Sequence, residues 1–346
     1  MTRGALRDGR IGMRHGAGGR AMRALIRQVL TAGLDTTDSP DRIGLGAMDD
    51  GAAFRMGDRW LVLTTDSHVV HPVVFPGGDI GRLAVCGTVN DLAMMGATDV
   101  LGLTCAAVLE EGFPHELLER LQRSLREASE EARAPIVTGD TKVMGRGEID
   151  GIVLNTSGVG LADQVIRDAG LSPGDALIVS GTIGDHGLAV MTARHQLALV
   201  GELRSDVAPL NGLVAAALTA VPCGVTAMKD PTRGGLSSAL HEMAEKAGVG
   251  ILVHEAALPI SDSVRSAGEL LGIDPLVVAN EGKALLGVRP DAVEAVLAAL
   301  RRHPLGAQAS VIGWALDEFP GSVVVDTGFG QRLLTEPDGE PLPRIC

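Results

Sequence analysis

Apolar residues recur at helical spacing in some stretches of the chain and form short runs of strand length in others. Met22, Leu25, Ile26, Val29 and Leu30 share one face and predict a helix over 21–34 that stops at Gly33. Trp60 to Thr65 reads as a buried strand that delivers Asp66 at its end. Gly78-Asp79 marks the entry to a helix reaching Met95, which carries Asn90-Asp91 between apolar neighbours. Val100 to Leu109 predicts a second strand. Pro114 to Ala132 predicts a helix with Leu117, Leu118, Leu121 and Leu125 on one side. A short strand at Ile136-Val137-Thr138 ends in Gly139-Asp140-Thr141-Lys142, and Gly151 to Gly160 is a further strand.

Leu161 to Gly174, closing on Ser172-Pro173-Gly174, is the expected domain boundary. A second mixed series follows. Strands are expected at Ala176–Ser180, Gly250–His254, Ala284–Val288 and Ala309–Ile312, and helices at Gly234–Ala247 and Asp291–Arg302, with a Gly-punctuated turn at Gly184. The expected divisions are a flexible Gly-rich segment 1–20, a first domain 21–163, a second domain 164–334 and a tail 335–346. Pro337, Pro341 and Pro343 predict an extended tail without helix or strand. At about 3.1 Å per residue, such a tail carries the thiol of Cys346 in and out of a cleft.

Composition narrows the function classes. The 346 residues are 45% apolar, enough for two cores. Lys and Arg total 30 against 43 Asp and Glu, a net charge of −13, which argues against nucleic-acid binding. No apolar run is long enough to span a membrane, and no secretion signal is visible, so a cytoplasmic protein is expected. Cys86, Cys105, Cys223 and Cys346 lie far apart, which suggests neither a zinc site nor a disulfide framework. The first three are expected to be buried structural thiols. His68, His71 and His186 lack metal-ligand spacing and are assigned no role.

Carboxylates recur where elements end beside glycine: Asp50, Asp66, Asp91, Asp140 and Asp230. Buried carboxylates that converge need cations, and Mg²⁺ suits an oxygen donor set completed by phosphates. Asp50, Asp66, Asp91 and Asp230 are the expected metal ligands, with Asp140 and Asn90 as second choices for metal or nucleotide. Lys142 and Arg233 carry charge suited to phosphate, and Gly234-Gly235 opens a helix whose amides face an anion. The loop around Gly18, Gly19 and Arg20 reads either as a disordered segment or as a flap over phosphates. Glu281, at a Gly turn, reads as a general base or as a solvated loop carboxylate. Neither a P-loop nor a dinucleotide-binding glycine motif is present.

In order, the Gly-rich start, DDGA, TTD, NDLAMMGA, GDTKV, GTIGDHG, DPTRGG, NEG and the closing PRIC resemble the HypE family. These are the carbamoyl dehydratases of nickel–iron hydrogenase maturation. They sit in the superfamily of aminoimidazole ribonucleotide synthetase, selenophosphate synthetase and thiamine-monophosphate kinase. The resemblance runs from about His15 to Cys346, and the closing Pro-Arg-Ile-Cys separates this family from its relatives.

It implies a two-domain α+β fold. The β-rich first domain would form a barrel across a homodimer, followed by a mixed α/β sandwich and an extended tail. It implies ATP and Mg²⁺ at Gly18, Gly19, Asp50, Asp66, Asn90, Asp91, Asp140, Thr141, Asp230, Thr232, Arg233, Gly234 and Gly235. The implied reaction dehydrates a thiocarbamate on Cys346 to a thiocyanate, with Lys142 stabilising charge and Glu281 taking protons. The cyanide would go to hydrogenase iron. The implied partners are the carbamoyltransferase HypF and the iron-carrying HypC–HypD complex. Cys346, beside its own carboxylate but helped by Arg344, suits a carried thiol better than a free nucleophile. The alternatives are a superfamily kinase or synthetase for a free small molecule, and a nucleotide-gated scaffold. A selenophosphate synthetase would carry a reactive Cys near its amino terminus, and no cysteine precedes Cys86.

Overall fold

The computed structural model describes residues 10–197, 202–337 and 344–346. Its elements run in the order α1 (Gly19–Leu25), β1 (Arg42–Ile43), β2 (Ala52–Met56), β3 (Arg59–His68), β4 (Val74–Phe75), β5 (Gly78–Asp79), α2 (Ile80–Met94), β6 (Asp99–Glu110), α3 (His115–Ala132), β7 (Ile136–Met144) and β8 (Ile152–Ala162). The second half continues with β9 (Ala176–Val179), α4 (Asp185–Arg194), α5 (Asn211–Ala220), β10 (Val225–Lys229), α6 (Gly235–Ala247), β11 (Gly250–His254), α7 (Asp262–Leu271), β12 (Leu285–Val288), α8 (Val293–Arg302), β13 (Ser310–Leu316), β14 (Val323–Asp326) and β15 (Gln331–Leu333).

The first half builds a six-stranded sheet in the order β1-β2-β3-β8-β6-β7. Helix α2 lies on one face of this sheet against β3 and β8, and α3 packs on α2. Asp79 starts α2 by accepting from the amides of Gly81 and Arg82 at 3.0 and 3.1 Å, satisfying donors at the open end of the helix. Strand β8 alternates buried and half-buried positions, as a sheet covered on one side requires. The other side stays apolar but open, with Phe54, Leu63, Leu101, Val137 and Val159 exposed.

The second half builds a seven-stranded sheet in the order β10-β12-β9-β13-β11-β14-β15. Every residue of β9 is buried, because helices cover both faces. Leu177 and Val179 point into the core with Leu236, Leu240 and Met243 of α6. Ile178 points the opposite way, to Leu213 and Val214 of α5 and Val296 and Leu300 of α8. A third core joins the halves: Leu83, Cys86 and Val89 of α2 cluster with Leu188 and Val190 of α4, Val264 of α7, and Ile345.

Several local expectations shift. The first helix gives way at Ile26 to a wider turn through Leu30, ending at Thr31 rather than at Gly33. Asp66 lies inside β3, since that strand pairs with β8 as far as His68 opposite Leu154. Likewise Gly139-Asp140-Thr141-Lys142 lies within β7, which pairs in parallel with β6 through Met144. Cys86 is buried, its pKa pushed up to about 12 by burial. Cys223 is not a buried thiol; it is exposed in a turn at φ +55°. Of the proline-rich tail, Asp338 to Pro343 lie outside the described residues.

Candidate active site

A cavity of about 700 Å³ opens between the two halves. Asp50 enters it from the approach to β2, Asp66 from β3, Asp91 from the last turn of α2, and Asp230 from the residue after β10. Gly18, Thr232, Arg233 and Gly235 line it too, as do Glu281 and Cys346. Gly234, at φ +81°, starts α6; a Cβ there would lie 2.2 Å from Ser238 Oγ. Gly18, also at φ +81°, lets the amino-terminal loop pass the Arg233 carbonyl, from which a Cβ would stand 2.6 Å. That loop thus borders the cavity.

The four aspartates act on one another. Thr64 Oγ1 lies 3.0 Å from Asp91 Oδ2 and 2.8 Å from the Asp50 carbonyl, joining β3 to α2. Burial first, then the charges of Asp230, Asp66 and Asp50, push the Asp91 carboxyl well above its ordinary range. Burial and Asp50 raise Asp230 to about 8. Hard oxygen donors that destabilise each other's charge in this way fit a divalent cation. They do not form a finished cage: among the described residues no three Asp, Glu, His or Cys side chains are disposed to hold a metal ion. Asp50 instead has its carboxylate on Lys229, with Nζ at 2.6 Å. Such a half-built set suits Mg²⁺, which keeps waters and takes phosphate oxygens to complete its shell.

Lys229 belongs to a lattice of alternating charge that the sequence pattern did not reveal. Burial works to lower its pKa, but Asp50, Glu242 and Asp168 outweigh it and raise it well above the usual value. Lys246 contacts Asp168 at 2.5 Å and Asp49 at 3.5 Å. Arg167 contacts Asp49 at 2.7 Å. Arg23 of α1 bridges Glu336 at 2.6 Å and Glu242 at 3.1 Å. The available signal was the Glu242–Lys246 pair, one turn apart on a helix otherwise rich in buried residues.

The last three residues of the sequence bring Cys346 to this cavity. Arg344 pairs with Asp150, and its carbonyl accepts from the His71 amide at 3.2 Å and from Arg194 Nη2 at 2.7 Å. Ile345 is 1% exposed, a burial worth about 2 kcal/mol. Its carbonyl lies 2.9 Å from His186 Nε2, so His186, to which the motif reading gave no role, holds the chain end. The Cys346 thiol hydrogen-bonds to Glu281. Glu281 is buried, with Oε1 lacking any partner among the described residues. Burial, followed by the charges of Asp230, Asp66 and Asp206, raises its pKa well above the ordinary range, against the thiol's opposing hydrogen bond. The solvated-loop reading of Glu281 is thus overturned.

Two expectations fail within a single chain. Asn90 does not face the cavity. Its Nδ2 donates to the carbonyls of Ala208 and Glu281, both at 3.1 Å, and its Oδ1 accepts from the Leu210 amide at 2.8 Å. With those bonds made it is a strut behind Glu281. Asp140, Thr141 and Lys142 stand on exposed β7, where Lys142 pairs with Asp140 at 2.8 Å, away from the residues lining the cavity. Strand β7 closes one edge of the sheet, with Asp140 and Lys142 on its open face and Thr141 on the other.

The fold and cavity define the class. The family described as AIR synthase related protein, N-terminal domain, matches residues 48–162, and its C-terminal counterpart matches 172–326. Carbamoyl dehydratase HypE of Cupriavidus necator is 47% identical over 99% of this chain and 96% of its own length. That of Rhizobium leguminosarum bv. viciae is 46% identical over 98% and 96%. Within the AIR synthase-related class, the chain belongs to the HypE family of carbamoyl dehydratases. A crystal structure of a HypE–HypF complex is similar, with a TM-score of 0.83 and 43% identity over 91% of this chain and all of that one. A structure of HypE in complex with ATP has a TM-score of 0.79 and 40% identity over 96% and 99%.

Proposed function

We propose that this enzyme uses ATP to dehydrate a carbamoyl group carried on Cys346, making the thiocyanate that supplies cyanide for nickel–iron hydrogenase. The placement of the Cys346 thiol against Glu281, inside the carboxylate-lined cavity, carries this reading. A carbamoyltransferase of the HypF kind loads the thiol. The thiocarbamate oxygen then attacks the γ-phosphorus of ATP, and ADP leaves. Glu281 accepts a proton from nitrogen as the C=N bond forms. Expulsion of phosphate, with loss of the second N–H proton, leaves S–C≡N. The sum is thiocarbamate plus ATP giving thiocyanate, ADP, phosphate and a proton.

Each residue's role follows from its position. Burial makes Glu281 a stronger base than a solvated carboxylate. Arg233 and the amides opening α6 neutralise phosphate oxygens. Asp50, Asp66, Asp91 and Asp230 would hold Mg²⁺, which neutralises charge on the phosphates when bound. ATP entry releases Lys229 from Asp50, and Glu242 keeps that ammonium paired.

Lys142 comes from a second copy. The open apolar side of the first sheet and the exposed edge strand β7 support pairing of two first domains into a barrel. The partner's edge then brings its Asp140, Thr141 and Lys142 to the cavity mouth. The enzyme works in the cytoplasm and passes its product to a HypC–HypD type complex. A kinase for a diffusible substrate has no use for a half-buried thiol beside its base.

Mass spectrometry of the C-terminal peptide tests this reading. Incubation with the carbamoyltransferase, carbamoyl phosphate and MgATP adds one carbamoyl group and then removes one water. A non-hydrolysable ATP analogue stops the chain at the carbamoyl adduct. Addition without loss of water under MgATP overturns the proposal.

A further inference from the structure

His186 sits between the chain end and a loop that also serves Glu281. Its Nδ1 lies 2.7 Å from Ser205 Oγ and its Nε2 lies 2.9 Å from the Ile345 carbonyl. A carbonyl can only accept, so Nε2 carries the proton and the Ser205 hydroxyl donates to Nδ1. Ser205 Oγ is itself held by the Val207 amide at 3.1 Å, and the Ser205 amide donates to the Pro76 carbonyl at 2.8 Å. The ring of Phe75 meets the imidazole edge-on, with centroids 5.3 Å apart. The imidazole therefore has one orientation and one tautomer.

The next residue along that loop turns to the base. Asp206 Oδ1 accepts from the Glu281 amide at 3.1 Å, and Oδ2 accepts from Lys283 Nζ at 2.9 Å. A Cβ on Gly282 would stand 1.8 Å from the Asp206 carbonyl, so the two segments are in contact along their backbones. One tripeptide, Ser205 to Val207, thus holds both the imidazole that grips the carrier arm and the backbone that presents the base.

We propose that His186 is a positioning residue for the reaction, and that the 205–207 loop is a common bracket fixing the depth of the Cys346 arm relative to Glu281. The bracket rests on the reading of Cys346 as carrier. Its chemical logic is that the group on sulfur must present its oxygen to the phosphate and its nitrogen to the carboxylate at once. An arm with a single residue past the clamp has little freedom left, and a misplacement of about 1 Å costs on the order of a hundredfold in rate. Gripping a backbone carbonyl one residue before the sulfur leaves the cargo itself untouched, so the same clamp serves the free, carbamoylated and cyanated forms.

The test uses the full-length protein with His186→Phe, His186→Gln and Ser205→Ala. Protein loaded beforehand by the carbamoyltransferase is mixed with MgATP, and dehydration is followed by mass at the C-terminal peptide. Alkylation of Cys346 in unloaded protein gives a readout independent of activity. His186→Phe is expected to load like wild type, to dehydrate about 10- to 100-fold more slowly at saturating ATP with an unchanged KM for ATP, and to label faster at Cys346. His186→Gln, whose amide nitrogen takes the place of Nε2, recovers most of both. Ser205→Ala shifts both readouts the same way, by about tenfold or less.

Wild-type dehydration and wild-type protection of Cys346 in His186→Phe overturn the proposal. If that variant does not fold, wild-type values for Ser205→Ala overturn it equally. Failure of the unsubstituted protein to dehydrate its carbamoyl group overturns the carrier reading alone; unchanged labelling of Cys346 in the variants overturns the bracket alone.

Discussion

Glu281 owes its chemistry to what surrounds it. An isolated glutamate beside a glycine is ordinarily solvated, and no local pattern around Asn280-Glu281-Gly282 marks it as buried. Its backbone is fixed by Asn90 from α2 and Asp206 from the far loop, residues distant in sequence. Glu281→Gln keeps the shape and removes the base. Carbamoyl loading should persist while dehydration falls by about 10² or more, read as an accumulated carbamoyl adduct. Normal dehydration in that variant rules Glu281 out as proton acceptor.

A second residue-scale prediction concerns the junction of the halves. Burial, followed by a hydrogen bond to Asp49, pushes the pKa of Asp168 up to about 8. Asp49 moves the other way: burial opposes ionisation, but Asp168, Lys246 and Arg167 lower its pKa. The unfolded chain gives up the Asp168 proton in the ordinary carboxylate range. The folded form is therefore favoured most at low pH, and this contribution is lost as pH rises to about 8. The loss is at most about 1.4 kcal/mol per pH unit. Asp168→Asn cannot ionise and keeps a donor toward Asp49. Its Tm should be nearly flat between about pH 6 and about pH 8 where the native protein declines. An unchanged slope contradicts the assignment.

Elements were read well where periodicity or a cap dominated. Helix α2 begins after Asp79 as the Gly78-Asp79 pair suggested, and α3 follows its leucine face. Reading failed where pairing with another strand set the length. β7 runs on through Gly139 to Met144 because β6 lies beside it, and β10, β14 and β15 are short strands that gain definition only in a sheet. Loop 205–207 has no periodicity at all; its order comes from contacts with Pro76 and Gly282. Gly282→Ala tests that contact. Its Cβ collides with backbone, not with a movable side chain. The expected cost is at least about 2 kcal/mol of stability by denaturant titration, with slower dehydration. A cost under about 0.5 kcal/mol means the segments part easily.

At the scale of the whole molecule, the proposed reaction draws on two chains. Lys142 and Asp140 have the residue types the chemistry needs but stand on an outer edge. If two first domains pair through their open faces, Val137→Lys with Val159→Lys places like charges at the junction and yields monomers by analytical ultracentrifugation, without dehydration. Mixing and re-annealing inactive Lys142→Ala and Glu281→Ala proteins tests the shared site directly. A hybrid dimer has one intact site of two, so about a quarter of wild-type activity should return. No recovery means that Lys142 does not serve the site of the partner copy; full activity of Lys142→Ala alone places it outside the reaction.

Much about this protein was already decided along the chain. Helix caps, apolar spacing, the acidic motifs and the final Pro-Arg-Ile-Cys are local features, and local propensity and residue chemistry act without reference to distant contacts. They were enough for the family and the α+β architecture, and they singled out aspartates, a glutamate and a thiol that line one cavity. The relations among those groups belong to the folded chain alone. Charge raises a carboxylate's pKa only when another carboxylate lies near it, and Asp50, Asp91 and Asp230 meet only across the cleft. The same is true of Lys229 on Asp50, of Asn90 behind Glu281, and of His186 on Ile345. Coulomb and hydrogen-bond energies depend on distance through space, which folding sets.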